Sequence, residues 1–95
     1  MSFLDELVLI ESRTTRGFRK AYAKLPEEIR RQAREAYRIF RMNPRHPSLR
    51  FKKVNEKTNT YSARISLGYR ALGTLKGSRI VWFWIGSHAD YDRVS

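Results

Sequence analysis

Four residues in the C-terminal third of this 95-residue chain have side chains suited to phosphoryl chemistry: Arg64, Arg70, His88 and Tyr91. Histidine's ordinary pKa, about 6.5, allows proton transfer near neutrality. Two guanidinium groups can hold the charge that builds on phosphoryl oxygens, and a phenol can assist proton transfer. Together on one face, these groups would suffice for metal-free RNA cleavage, with the ribose 2′-hydroxyl as nucleophile. The same residues have plainer roles open to them. His88 can cap or pack against a strand end, Tyr91 can be an edge aromatic, and each arginine can clamp a phosphate without catalysis.

Whether Arg64 and Arg70 share a face depends on their connection. With Leu67-Gly68-Tyr69 as the loop, Ser66 pairs with Arg70 and both guanidinium groups point the same way. A two-residue loop separates them.

Other chemistries find little support. Asp90-Tyr91-Asp92 with His88 can be drawn as a metal cluster, but two carboxylates at i, i+2 in a tail are more often solvated. The chain has no cysteine, no Gly-rich phosphate loop, no His-Glu-x-x-His and no Gly-x-Ser-x-Gly. No metal or cofactor is expected. Trp82, Phe83 and Trp84 lie within an apolar run and read as core rather than as a base-stacking platform.

The elements that position these residues follow from periodicity. Leu7 to Ile10 reads as a buried strand ending at Glu11-Ser12. Phe18, Ala21, Tyr22 and Leu25 recur at helical spacing. Pro26 with Glu27-Glu28 opens a second helix, striped by Ile29, Ala33, Ala36, Tyr37 and Phe40, which Asn43-Pro44 ends. Period two then takes over. Phe51 to Val54, Tyr61 to Ser66, Tyr69 to Leu75 and Ile80 to Ile85 read as strands, the last a central one covered on both faces. The predicted fold is a single α+β domain over residues 1–95: an N-terminal strand, a two-helix hairpin, then a three- to four-stranded antiparallel sheet with one open face.

Charge divides along the same line. Arg13 to Lys53 contains 14 basic and 3 acidic residues, which carry the whole formal charge of +11, while the rest holds 6 of each. A basic half of this kind suits a polyanion or an acidic protein partner, with Arg30, Arg34, Arg45, Arg50, Lys52 and Lys53 as candidate RNA contacts. With no apolar run long enough to span a membrane and an acidic N-terminus, the expected location is the cytoplasm.

Three segments carry a resemblance: Asn43-Pro44-Arg45-His46-Pro47-Ser48-Leu49-Arg50-Phe51-Lys52-Lys53-Val54; Tyr61-Ser62-Ala63-Arg64-Ile65 with Gly68-Tyr69-Arg70; and Trp84-Ile85-Gly86-Ser87-His88-Ala89-Asp90-Tyr91-Asp92. In these, and in element order and length, the chain resembles the RelE/ParE superfamily of type II toxin-antitoxin toxins. The last segment is similar to the Gly-x-His-x-x-Tyr-Asp ending of many RelE-like members. The resemblance implies a RelE-like fold and a ribosome-dependent endoribonuclease cleaving mRNA, held inactive by a cognate acidic antitoxin, and it allows a toxin-antitoxin hetero-oligomer. It assigns Arg70 to the scissile phosphate, Arg64 to a basic position on the preceding strand, His88 to proton transfer and Tyr91 to the C-terminal aromatic position, and it allows Asp90 and Asp92 to orient His88 or Arg70. Ser62 departs from the RelE pattern, which has a basic residue there; Lys52 or Lys53 on the neighbouring strand is the candidate substitute. The alternatives are a ParE-like DNA gyrase inhibitor and a non-catalytic member that only binds its antitoxin. An acidic antitoxin segment is expected along the groove between the two halves, competing with RNA for the same arginines.

Overall fold

A computed structural model describes residues 10–94. The first element is strand β1 (Glu11–Thr14), followed by helices α1 (Arg16–Ala23) and α2 (Glu27–Met42) and a 3-10 turn at Pro47–Leu49. Strands β2 (Lys52–Asn55), β3 (Thr60–Ser66), β4 (Tyr69–Lys76) and β5 (Arg79–Ser87) come next, and helix α3 (His88–Val94) ends the described chain. The five strands form one sheet in the order β1-β5-β4-β3-β2. β2 to β5 are antiparallel neighbours, whereas β1 runs parallel to β5. The expected α+β architecture holds, with one correction: the sheet is mixed and five-stranded, and β5 is an interior strand between β1 and β4, as expected.

Of the expected first strand, Leu7 to Leu9 fall outside the described residues; the described strand is Glu11–Thr14, which runs past the Glu11-Ser12 end expected from sequence. Its position is set by its partner: Glu11 to Thr14 align with Arg79 to Trp82. Thr15 then caps α1, its Oγ1 accepting from the Phe18 amide at 3.0 Å. Glu27 and Glu28 in the first turn of α2 and Arg41 in its last complement the helix dipole.

Ala33, Ala36 and Phe40 form the buried stripe of α2. Phe40 meets Trp82 edge-on at 5.4 Å and Phe51 at 5.2 Å, and Phe51 stacks on Tyr61 at 4.8 Å. Such pairings add to the burial of large apolar area. Leu49 and Ile80 are almost fully enclosed beside them. Gly73 serves this core directly, since a Cβ there would stand 2.8 Å from the Trp82 ring and 2.9 Å from Ile80.

Two bulges decide which side chains reach which face. Arg64 is the partner of Arg70 and Ser66 of Tyr69, so Ile65 is an extra residue in β3. Gly73 pairs with Trp82 and Leu72 with Trp84, so Phe83 is extra in β5. Trp82 therefore enters the core, while Trp84 emerges on the opposite face with Leu72. The reading of the whole Trp82-Phe83-Trp84 run as core holds for Trp82 alone: Phe83 is 39% exposed and Trp84 half-buried.

Candidate active site

The hairpin joining β3 and β4 has the two-residue loop Leu67-Gly68, the geometry expected to send Arg64 and Arg70 to opposite faces. The Ile65 bulge reverses that expectation. It restores Arg64 and Arg70 as direct partners, and partners in an antiparallel pair present their side chains on one face. Ala63 and Ala71, the next pair, are both buried under the helices. The arginine pair therefore belongs to the face turned away from the helices.

Ser62 follows on that face, and Arg70 Nη1 donates to its Oγ at 3.3 Å. Lys52 is the register partner of Ser62 in β2, which puts a lysine beside the position where the RelE pattern has a basic residue. Lys53 is turned elsewhere: it pairs with Glu56 at 3.4 Å and stands over the Tyr61 ring at 5.9 Å.

Helix α3 brings the remaining groups. Ser87 caps it, its Oγ accepting from the Asp90 amide at 3.2 Å. The His88 amide donates to the Gly68 carbonyl at 2.7 Å, which ties the helix start to the β3–β4 loop two residues before Arg70. One turn on, Tyr91 stacks with His88, centroids 5.9 Å apart and planes 18° apart. The Arg70 guanidinium lies over the Tyr91 ring at 5.6 Å, a cation–π contact. Trp84 supports Tyr91 from below at 6.3 Å. Gly86 leaves room for Trp84, because a Cβ at Gly86 would stand 2.7 Å from its ring.

The structure thus brings Arg64, Arg70, His88 and Tyr91 to one end of one face, with Lys52 at its side. Asp90 does not engage Arg70 or His88; its carboxylate faces Arg93 at 3.7 Å. Among the described residues no three His, Cys, Asp or Glu side chains converge on a metal position. Trp84 and α3 were missed from sequence. The Ser-x-x-Asp spacing of Ser87 and Asp90 is a helix-start signal that could have found α3.

The candidate RNA contacts divide. Arg45, Arg50 and Lys52 are exposed around the β2 end of the molecule. Arg30 is engaged within the helical hairpin, donating to the Leu25 carbonyl at 2.5 Å, and Arg34 donates to the Tyr22 hydroxyl at 2.9 Å. On the helix side of the sheet, a 550 Å³ groove runs between the helices and the strands. Its apolar walls include Phe18, Phe40 and Trp82, and Arg19, Arg34, Arg38 and Arg41 also line it. The groove and the arginine pair occupy opposite faces, so a segment filling the groove does not cover Arg70. Of the candidate RNA contacts, only Arg34 lines it.

A family model described as a ParE-like toxin domain matches residues 27–93. The chain belongs to the RelE/ParE toxin superfamily. Solved structures of that superfamily share its fold. RelE in the archaeal RelE–RelB complex from Pyrococcus horikoshii OT3 is 18% identical with a TM-score of 0.67, covering 84% of this chain and 96% of that one. A chain of the RelBE2 toxin-antitoxin complex from Mycobacterium tuberculosis is 25% identical, TM-score 0.67, covering 87% and 95%. YafQ from E. coli strain BL21(DE3) is 11% identical, TM-score 0.66, covering 85% and 96%. No curated protein shows significant similarity to the chain. No described helix of this RelE/ParE toxin is long and apolar enough to cross a membrane.

Proposed function

We propose that this toxin is a metal-independent endoribonuclease that cleaves mRNA on the ribosome by 2′-hydroxyl attack. The observation that carries the reading is the open-face cluster: Arg64 and Arg70 as register partners, with Tyr91 under the Arg70 guanidinium and His88 stacked on Tyr91. Arg70 and Arg64 hold the phosphoryl oxygens as charge accumulates, and Lys52 adds a third cation opposite Ser62. His88 exchanges protons with the attacking or leaving oxygen, and Tyr91 orients Arg70 and the target base. The exposed Arg45 and Arg50 bind ribosomal or messenger phosphates, an attraction that weakens as salt rises.

The partner that silences the toxin is an acidic antitoxin with an apolar face, bound in the helix-side groove between Arg19, Arg34, Arg38 and Arg41. Relatives in the RelE–RelB and DinJ–YafQ toxin-antitoxin complexes have the same fold. Competition with RNA then runs through Arg34.

One observation favours a second reading, inhibition of DNA gyrase: the matching family model is described as ParE-like. Expression of the wild type, Arg70→Ala and His88→Ala in a translating extract, with mapping of mRNA ends, decides between them. New mRNA ends with wild type and none with the variants support the nuclease. Intact mRNA together with inhibited DNA supercoiling supports the gyrase reading.

A further inference from the structure

Ser62 is fully buried, although it lies on the sheet face turned away from the helices. Its main chain is paired on both sides, with Lys52 in β2 and Leu72 in β4, so the hydroxyl stands on a rigid part of the sheet. A buried hydroxyl needs a hydrogen-bond partner. Its partner is Arg70, whose Nη1 donates to Ser62 Oγ at 3.3 Å. The same guanidinium lies over the Tyr91 ring at 5.6 Å. Arg70 is thus held from two elements, β3 and α3, and it makes no salt bridge among the described residues.

Arginine has much rotamer freedom to lose when it is fixed, and a charge-stabilising group acts best when it is in place before the reaction. The chemistry of the holding group matters as well. A carboxylate at position 62 would grip the guanidinium more tightly but cancel its charge. A basic residue, the type the RelE pattern has there, would repel it. A serine oxygen orients one N–H and leaves the rest of the fork, with its whole positive charge, for phosphoryl oxygens.

We propose that Ser62 is a positioning residue for Arg70, its buried hydroxyl aiming the guanidinium at the scissile phosphate. Ser62 has this role on the endoribonuclease reading, whereas its hold on Arg70 can be measured without any cleavage.

The test joins a spectroscopic readout to a kinetic one. Guanidinium nitrogen–proton spectra of the isotope-labelled protein report how freely the Arg70 Nη groups rotate, with Arg70→Ala identifying the signals. Resolved Nη protons are expected in the wild type and averaged ones in Ser62→Ala. In cleavage on the ribosome, Ser62→Ala is expected to lower kcat about tenfold with KM unchanged, since the phosphates bound by Arg45 and Arg50 are unaffected. In an Arg70→Ala background the same substitution should cost nothing further. A merely structural serine would lower the melting temperature of Ser62→Ala and leave the Arg70 signals as they are. That result, or an equal loss of rate with and without Arg70, overturns the positioning role. If the Arg70 signals average as expected while wild-type protein leaves mRNA intact, the hold of Ser62 on Arg70 stands and the endoribonuclease reading falls.

Discussion

Arg64 and Arg70 stand directly opposite each other across β3 and β4, although only Leu67 and Gly68 separate the paired ends of those strands. The extra residue Ile65 makes this possible, and its own side chain is spent on the core. Two cations on neighbouring strands can then address one phosphoryl group. Arg64→Ala and Arg70→Ala should each lower the rate of mRNA cleavage by about 10²- to 10³-fold, the usual effect of removing one charge-stabilising donor. Because they act on the same developing charge, the double variant should lose less than the product of the two. Single-turnover cleavage rates measure this, and full multiplicativity would show that the two arginines act on separate groups.

Tyr91 has two possible contributions, a ring and a hydroxyl, and its contacts separate them. The ring stacks on His88, lies under Arg70 and rests on Trp84. Tyr91→Phe preserves all three contacts, whereas Tyr91→Ala removes them. Cleavage should fall further in Tyr91→Ala than in Tyr91→Phe, with the difference reporting the positioning of Arg70. Equal losses in the two variants would assign the whole effect to the hydroxyl and none to the ring.

Local signals made the helices and most strands legible. Ala33, Ala36 and Phe40 fall on the buried face of α2 as their spacing requires, and Thr15 caps α1. What the sequence hid is non-local. β1 is placed by its parallel pairing with β5, some seventy residues away, rather than by its own apolar run. The bulges at Ile65 and Phe83 are properties of strand pairs, so neither the common face of the two arginines nor the exit of Trp84 from the core could be read from alternation alone. The candidate residues could therefore be picked out by type, while their geometry stayed open. Lys52 shows the same limit: its partnership with Ser62 exists only through the register of β2 on β3.

Gly73 and Gly86 leave space for a tryptophan each, on opposite faces of the sheet, and should fail differently when filled. Gly73→Ala places a Cβ 2.8 Å from Trp82 in the core. Overpacking there should cost about 1–3 kcal/mol and lower Tm by roughly 4–8 °C per kcal/mol in a domain of this size. Gly86→Ala presses a Cβ 2.7 Å from Trp84, which supports Tyr91. Trp84 must move, so cleavage should fall more than stability does. Urea melts beside cleavage rates test the contrast, and a Gly86→Ala protein with normal cleavage would release Trp84 from the site.

Acid should weaken the fold through two ion pairs on α2. Arg31 donates to Glu28 and Arg38 to Glu35, and these hydrogen bonds hold both carboxyls below their ordinary value of 4.5. A carboxyl with a lowered folded pKa stabilises fully above its unfolded value, and that contribution disappears as pH falls through the folded one. Both pairs are exposed, so the effect is small and is best read as a difference. The urea midpoint of the wild type should exceed that of Glu28→Gln/Glu35→Gln at pH 7, and the gap should close as pH drops below about 4.5. The Arg partners remain charged throughout, so the closure belongs to the carboxylates alone. A gap that stays constant down to pH 3 would show that the two pairs contribute nothing through charge and that the substitutions act on helix propensity.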